Sequence, residues 1–319
     1  MRLIYLQNPT PCFQPTDEQV RRFAERLGPE EREEPLHVCR SEEEFVSLLP
    51  EATAVFVWTF RQEWFDRAPK LRHLATPAAG RDYFRIVPPP TVTLHYGSFH
   101  GAIMAETALG AVLSCAHGLL PHASAMKGPC AAEWPRPDFV PGSRRVAGST
   151  VLVLGFGSIG RSFGRLAKAL GATVVGFRRH PAPDPAADRV VGPEALDKEL
   201  SLADHVVCFL PSGPETTHLL DARRLALFKP SAFLYNFGRG NLIDEAALDR
   251  ALRTHAIAGA VLDVFETEPL PADSPLRTAP NAFLYPHASA FSPDYLDLYF
   301  EAAARAIKAC RFNLHPNTP

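Results

Sequence analysis

Apolar and polar positions along the chain predict short buried strands that alternate with amphipathic helices. Residues 2–6, 54–58 and 71–76 are apolar runs too short for helices, and such runs are typical of buried strands. Between them, the apolar positions of residues 17–27 recur at helical spacing, and Ser41 suits the N-cap of a second helix. This alternation predicts a parallel sheet with helices on both faces.

The second half of the chain repeats the alternation over a longer series. Its apolar runs predict a six-stranded doubly wound sheet, with strands at residues 150–154, 174–177, 205–210, 233–236, 259–264 and 282–285. Helices are predicted at residues 100–120, 222–228, 245–253 and 295–312. We expect the last helix to return to the first domain, which then comprises residues 1–95 and 290–319. The second domain is expected to span residues 96–289.

A glycine-rich turn follows the first strand of the second domain. Gly155, Gly157 and Gly160 form G-x-G-x-x-G between the strand and an amphipathic helix, and Gly171 then leads into a second strand. The first glycine allows the tight turn, the second lets the backbone approach a pyrophosphate, and the third lets the helix pack on its strand. The helix N-terminus also favours an anion. The unit therefore predicts a dinucleotide site, although similar turns occur in mononucleotide-binding proteins.

The end of the second strand indicates which dinucleotide is preferred. An NAD site normally carries an acidic residue there, about 20 residues past the first glycines, to bind the ribose 2′-hydroxyl. This strand ends in Arg178-Arg179-His180 instead, and the nearest acid, Asp184, lies beyond two prolines. Guanidinium groups pair with a 2′-phosphate. We predict that NADP is preferred and that NAD is possible; the alternative is an exposed basic turn without a ligand.

Composition excludes several classes of partner. The 319 residues carry a formal net charge of −2 and no stripe of Lys or Arg, so nucleic acid and anionic membranes are not expected partners. The six cysteines stand far apart and include no C-x-x-C pair, which predicts neither a disulfide framework nor a metal site. No segment approaches the ~18 apolar residues of a membrane helix. These features predict a cytoplasmic protein that acts on a small molecule.

Polar residues that follow the strands of the second domain are the candidates for chemistry, because ligands bind at the carboxyl ends of strands in open α/β sheets. Arg239 follows one strand in NFGRG, Asp263 ends the next, Glu268 lies in VFETEP, and His287 follows the last strand. Each of these residues alone has a structural alternative, as a salt-bridge partner, a loop carboxylate or a surface histidine. Their order on successive strand ends favours an active site.

Several motifs of the second domain, in order, resemble the D-isomer-specific 2-hydroxyacid dehydrogenase family. They are GFGSIG, LPSGPETTHLL, NFGRGNLIDEAAL, AVLDVFETEPLP and PHAS. The resemblance implies a Rossmann doubly wound domain for the cofactor and a second, flavodoxin-like α/β substrate domain. It also implies that Arg239 binds the 2-oxo acid, that His287 is the general acid/base and that Glu268 pairs with it. A guanidinium stabilises charge developing on the carbonyl oxygen, an imidazolium protonates it, and a glutamate orients the imidazole.

The resemblance also implies further contacts and partners. Ala79 and Gly80 are expected to bind the substrate carboxylate through their backbone. A homodimer is expected to form through residues 100–145, a region that includes a proline-rich arm, with Trp134 reaching the partner. The expected cofactor contacts are Gly155, Gly157, Ser158, Ile159, Gly160, Arg178, Arg179, Leu210, Pro211, Thr216, Phe237 and Asp263, the last holding the nicotinamide amide.

Departures from the family pattern leave the substrate open. His100 stands where the family usually has asparagine, and Phe99 adds bulk beside it. Glyoxylate and hydroxypyruvate are our first expectations, by analogy. A phosphonate- or formate-type dehydrogenase is an alternative, but family members that act on formate carry glutamine at the position of Glu268. A cofactor-sensing protein-binding module, as in the corepressors that resemble this family, is a second alternative.

Overall fold

A computed structural model describes residues 1–27, 34–80, 83–122 and 143–314. The chain divides into two compact units: Met1–His100 with Phe291–Pro319, and Gly101–Ala290. Among the described residues, no helix has both the length and the apolar character that a bilayer-spanning segment requires.

Within its described residues, the first unit contains five parallel strands in the order β2-β1-β3-β4-β5. The strands are β1 Arg2–Tyr5, β2 Leu36–Val38, β3 Ala54–Val57, β4 His73–Ala75 and β5 Thr93–His95. This is the flavodoxin-like strand order, and its direction reverses between β1 and β3. The sequence did not predict β2, because its three residues are all only half-buried and therefore form no distinct apolar run.

Among the described residues of this unit, three α-helices pack on the sheet: α1 Asp17–Arg26, α2 Glu42–Leu48 and α8 Tyr295–Leu314. Thr16 and Gln19 form a capping box at the start of α1, and Ser41 caps α2 as predicted. The Gln19 amide donates to the Asp297 carboxylate at 3.0 Å, and the rings of Phe23 and Phe300 stack at 4.6 Å. Polar and aromatic contacts therefore hold α8 against α1.

The second unit is a doubly wound Rossmann sheet, which confirms the predicted fold class. Its described residues form seven parallel strands in the order β12-β11-β10-β9-β6-β7-β8, so the prediction of six strands was wrong. The strands are β6 Thr150–Leu154, β7 Thr173–Phe177, β8 Arg189–Val191, β9 His205–Cys208, β10 Phe233–Asn236, β11 Gly259–Leu262 and β12 Ala282–Leu284. The strand β8 was missed because it is short, lies at the sheet edge and begins with an exposed arginine.

Helices cover both faces of this second sheet. They are α3 His100–Ala116, which begins at the boundary of the first unit, α4 Ser158–Ala169, α5 Leu196–Leu202, α6 Ala222–Leu225 and α7 Glu245–Arg253. Apolar residues of α5, α6 and α7 form one core, and those of α3 and α4 form the other. The helix α3 ends before Leu120 because Gly118 has a left-handed φ of 71°. The helix α6 ends at Leu225 rather than at Phe228.

A buried histidine makes the stability of this unit depend on pH. Burial lowers the pKa of His205 from 6.5 to about 4, and its Nδ1 lies 3.0 Å from the Tyr235 hydroxyl. Because folding lowers this pKa, the contribution of His205 to stability is complete above its unfolded pKa of 6.5. That contribution is lost as the pH falls from 6.5 towards 4. We expect the unfolding free energy to fall by roughly 2–3 kcal/mol more in the wild type than in His205→Gln between pH 7 and pH 4.5. Urea titrations that give equal losses would contradict this.

Candidate active site

The glycine-rich turn has the geometry of a pyrophosphate cradle. Gly155 has a left-handed φ of 97°, and a Cβ there would lie 2.8 Å from the backbone nitrogen of Leu210. A Cβ on Gly160 would lie 2.4 Å from the Gly155 carbonyl oxygen. Gly157 is the N-cap of α4 and has no side chain to cover the first amides of the helix, and the space around it is open. These features fit a dinucleotide whose phosphates accept hydrogen bonds from the helix N-terminus.

Ser158 and Ile159, the first residues of α4, follow this turn directly, and the other expected cofactor contacts lie at the ends of neighbouring strands. Leu210 and Pro211 follow β9, and the Thr216 hydroxyl donates to the Pro211 carbonyl at 2.8 Å. Phe237 follows β10, but its side chain is buried and stacks on Phe209. Its backbone is therefore the part that can meet a ligand.

Both arginines at the end of β7 already have partners in the protein. The Arg178 guanidinium donates to the Ala182 carbonyl at 2.8 Å, while its buried Nε has no hydrogen-bond partner among the described residues. Arg179 forms an exposed ion pair with Glu215. A 2′-phosphate would have to compete with Glu215 for Arg179, which the sequence did not predict.

The candidate acid and its orienting carboxylate lie in direct contact. Nδ1 of His287 is 2.7 Å from Oε2 of Glu268, and the Glu268 Oε1 accepts the Phe265 amide at 3.0 Å. His287 has a left-handed φ of 50°. Since Nδ1 faces the carboxylate, Nε2 points away from it. The two residues also line a cavity of about 560 Å³ with Phe265, Leu270, Leu284 and Tyr285.

Asp263 holds the turn that carries His287. This residue is 1% exposed, its backbone carbonyl accepts the His287 amide at 2.8 Å, and its carboxylate accepts the amides of Ala288 and Ser289 at 2.7 and 3.2 Å. These bonds fix the His287 backbone in a conformation that is uncommon for residues other than glycine. The sequence predicted that Asp263 contacts the cofactor. Its hydrogen bonds within the chain also make it a positioning residue for His287.

Asn236 holds the turn that carries Arg239, and the sequence did not predict this role. Its side chain is fully buried, donates to the Arg239 carbonyl at 3.0 Å and accepts the Gly238 amide at 3.1 Å. A polar residue that ends an otherwise apolar strand, as Asn236 ends β10, was the available signal. Because Gly240 packs so tightly against Phe265 that a Cβ would overlap its carbonyl carbon, the Arg239 turn abuts the loop that leads to Glu268.

The two expected substrate-binding residues lie in the first unit, in the turn after β4. Ala79 is exposed and Gly80 is half-buried. The amide of Gly97 donates to the neighbouring Ala78 carbonyl at 2.8 Å, which ties this turn to the chain after β5. Residues 81–82, the rest of the predicted turn, lie outside the described residues, as does Trp134 with most of the predicted arm.

Comparison with known proteins identifies the family. Residues 109–289 match the model for the D-isomer specific 2-hydroxyacid dehydrogenase NAD binding domain. The chain therefore belongs to the D-isomer-specific 2-hydroxyacid dehydrogenase family.

Relatives of several named activities are similar to this chain. A glyoxylate reductase of Thermococcus gammatolerans is 32% identical over 83% of this chain and 80% of its own length. A D-3-phosphoglycerate dehydrogenase of Mycobacterium tuberculosis is 31% identical over 80% of this chain, and an (S)-sulfolactate dehydrogenase of Chromohalobacter salexigens is 40% identical over 49% of it. The chain spans about half the length of the latter two relatives.

Solved structures of the same family share the fold over nearly the whole chain. A member from Aeromonas salmonicida is 31% identical, with a TM-score of 0.77 over 98% of this chain and 95% of its own. A member from Xanthobacter autotrophicus, solved with NADPH and MES, is 27% identical, with a TM-score of 0.80 over 99% of this chain and 96% of its own.

Proposed function

We propose that this protein is an NAD(P)-dependent dehydrogenase that interconverts small 2-oxo acids and D-2-hydroxy acids. The observation that carries this proposal is the 2.7 Å contact between His287 and Glu268, on loops that follow strands of a Rossmann sheet. Arg239 lies on the turn after β10, beside the loop that leads to Glu268. Together these residues supply an acid, an orienting carboxylate and a cation for a ketone next to a carboxylate.

Each of these side chains has a defined task in the reduction direction. The nicotinamide, when bound, supplies the hydride that reaches the ketone carbon. Arg239 stabilises the negative charge that develops on the ketone oxygen, and its planar fork also suits the substrate carboxylate. His287 gives its proton to that oxygen, and Glu268 stabilises the imidazolium and fixes the ring. Asn236 and Asp263 hold the two turns so that the groups need no reorganisation.

The first unit is proposed as the substrate domain, with the backbone of Ala79 and Gly80 facing the substrate carboxylate. Glyoxylate and hydroxypyruvate are the proposed small substrates, a choice supported by a relative named glyoxylate reductase and by a Citrobacter koseri relative named glyoxylate/hydroxypyruvate reductase B, 33% identical over 72% of this chain. We further propose a cytoplasmic homodimer. A monomeric mass in solution at micromolar concentration would contradict the dimer.

NADPH is the proposed cofactor, and its phosphate is expected to meet Arg178 and Arg179. We expect Arg178→Ala to weaken NADPH binding by roughly 10–100-fold, because it removes one charge-assisted hydrogen bond to the 2′-phosphate. NADH has no 2′-phosphate, so its binding should weaken by less than threefold.

Glu215→Gln should strengthen NADPH binding by about two- to fivefold, since Arg179 is released from an exposed ion pair. Calorimetric titration measures both. Equal effects on the two cofactors, or a wild type that prefers NADH, would contradict the phosphate site.

The proposed activity is tested by following NADPH and NADH consumption with a panel of 2-oxo acids that includes glyoxylate and hydroxypyruvate. We expect turnover with at least one of them. Turnover with none would favour the alternative class, a cofactor-binding module without catalysis.

A further inference from the structure

A cavity opens at the amino edge of the second sheet. Its volume is about 680 Å³, which is within the usual size range of small-molecule pockets, and its described lining residues all belong to the second unit. Several of them stand at or directly before the first residue of neighbouring strands, from β6 to β12: Ser149, His205, Phe233, Ala258 and Asn281. Arg239, Glu268 and His287 follow the carboxyl ends of strands in the same sheet, so the cavity lies at the other edge from the candidate active site.

Two arginines give this cavity a positive rim. Arg144 and Arg145 both line it, both are exposed, and neither forms an ion pair with another described residue. The Arg144 amide donates to the Ala116 carbonyl at 2.6 Å, which fixes its backbone beside the end of α3. Burial has the largest effect on the pKa of His205, and the charge of Arg144 lowers that pKa further. The charge of Arg144 therefore acts on the interior of the cavity.

The negative groups at this edge already have partners. Asp204 is the one acidic side chain among the described lining residues, and it accepts the Lys229 ammonium at 2.8 Å and the Thr150 amide at 2.9 Å. The last four carbonyls of α3, residues 113–116, all accept backbone amides, so the C-terminus of this helix leaves little negative charge uncompensated. The arginines consequently decide the sign of the charge at the cavity, and they favour an anion.

The interior of the cavity offers neutral hydrogen-bonding groups and an apolar wall. His205 is 5% exposed and its Nδ1 lies 3.0 Å from the Tyr235 hydroxyl, which leaves Nε2 for the cavity. Since burial lowers the pKa of His205 to about 4, its ring is neutral at pH 7 and Nε2 acts as a hydrogen-bonding group. The Ser231 hydroxyl also has no hydrogen-bond partner in the part of the chain that the structure describes. Phe233 supplies the apolar wall.

We propose that this cavity binds a small phosphate monoester, with the phosphate at Arg144 and Arg145 and the carbon skeleton against Phe233. Guanidinium groups form paired, charge-assisted hydrogen bonds with phosphate oxygens. A phosphate monoester places both of its charges on one group, which suits two arginines that are adjacent in the chain, whereas the charges of a dicarboxylate lie apart. This ligand is additional to the cofactor and the substrate of the proposed function, and the inference does not depend on that function.

Calorimetric titration in saturating NADP⁺ tests the site, because the cofactor position is then filled. We expect phenyl phosphate to bind with a Kd of about 0.1–1 mM, and inorganic phosphate to bind about tenfold more weakly because it buries no ring against Phe233. Binding of phenyl phosphate only above about 10 mM would show an adventitious anion and overturn the inference. Tighter binding of succinate than of phenyl phosphate would overturn the choice of a phosphate monoester.

Substitutions of single arginines locate the anion. Arg144→Ala and Arg145→Ala should each weaken phenyl phosphate binding by about tenfold, because each removes a charge-assisted hydrogen bond. Arg250→Ala is the matched control, since Arg250 is also exposed, has no ion pair with a described residue and does not line the cavity. It should change the affinity by less than twofold. Equal losses in the three variants would show a response to net charge alone, and a loss confined to Arg178→Ala would place the anion at the cofactor position; either result would overturn the inference.

The proposed dimer sets the condition for these titrations, because residues 100–145 include both arginines. They are run at a protein concentration at which analytical ultracentrifugation gives the mass of the dimer. We expect the same affinity for phenyl phosphate there as in dilute protein. Absence of binding to the dimer would show that the partner subunit covers the cavity and would overturn the inference.

Discussion

His287→Ala is expected to lower kcat for 2-oxo acid reduction by about 10²–10⁴-fold, because the developing alkoxide loses its proton donor. Cofactor affinity should stay within about threefold, since His287 is not among the residues that we expect to contact the dinucleotide. The measurements are turnover at saturating NADPH and calorimetric titration of the cofactor. Near-normal turnover in this variant would refute the assignment of the acid.

The chain supplies a close control for this variant. His218 also pairs with a glutamate, its Nε2 lying 2.9 Å from Glu266, and it has a left-handed φ of 48°. Its side chain is 49% exposed and that of His287 is 52% exposed. His218→Ala therefore removes a histidine with the same kind of partner, backbone and exposure. We expect it to retain wild-type turnover within about threefold, so an equal loss in both variants would indicate a structural effect.

Arg239→Ala is expected to lower kcat/KM by about 10²–10³-fold, because the charge that develops on the ketone oxygen loses its preorganised partner. Arg239→Lys should recover only part of this loss, since an ammonium restores the charge but not the planar two-pronged geometry. Kinetics of the three proteins with the same 2-oxo acid measure the effect. Full activity of the lysine variant would show that the fork geometry is not used.

The alanine variant also permits a rescue experiment. Added guanidine should restore part of the activity of Arg239→Ala and none of that of His287→Ala, because it replaces only the missing cation. Rescue of both variants, or of neither, would argue against separate tasks for the two residues. Asn236 bonds to the Gly238 amide and to the residue 239 carbonyl, and neither group belongs to the side chain that is removed, so we expect the turn to keep its place in this variant.

Much of the fold was predictable because its signals are local. The turn from Gly155 to Gly160 and the helix Glu245–Arg253 follow from short patterns, and buried parallel strands form apolar runs that the sequence displays. The strands β2 and β8 escaped because each has three residues with side chains that are not fully buried. Pairing of such strands depends on the rest of the sheet, and their own sequence does not reveal it.

The candidate site was predictable as a set of residues but not as a set of contacts. His287 and Glu268 are 19 positions apart on different loops, so their 2.7 Å contact depends on the strand order. Asn236 and Asp263 act through hydrogen bonds to backbone atoms. Since every residue type has these atoms, the sequence of the turns does not reveal the bonds. The pairing of Arg179 with Glu215 likewise joins two loops that the sequence alone could not place together.

Stereochemical analysis of the product shows whether the protein reduces a 2-oxo acid to the D-2-hydroxy acid. Purified protein and NADPH are incubated for a fixed time with a 2-oxo acid whose reduction product is chiral, such as hydroxypyruvate, and the 2-hydroxy acid that forms is quantified and resolved by chiral chromatography. We expect one molecule of the D-2-hydroxy acid for each NADPH consumed, and we expect the amount formed in that time to fall with the His287→Ala substitution but not with His218→Ala. Consumption of NADPH without a 2-hydroxy acid, formation of the L-isomer, or equal yields from His287→Ala and the wild type would contradict this expectation.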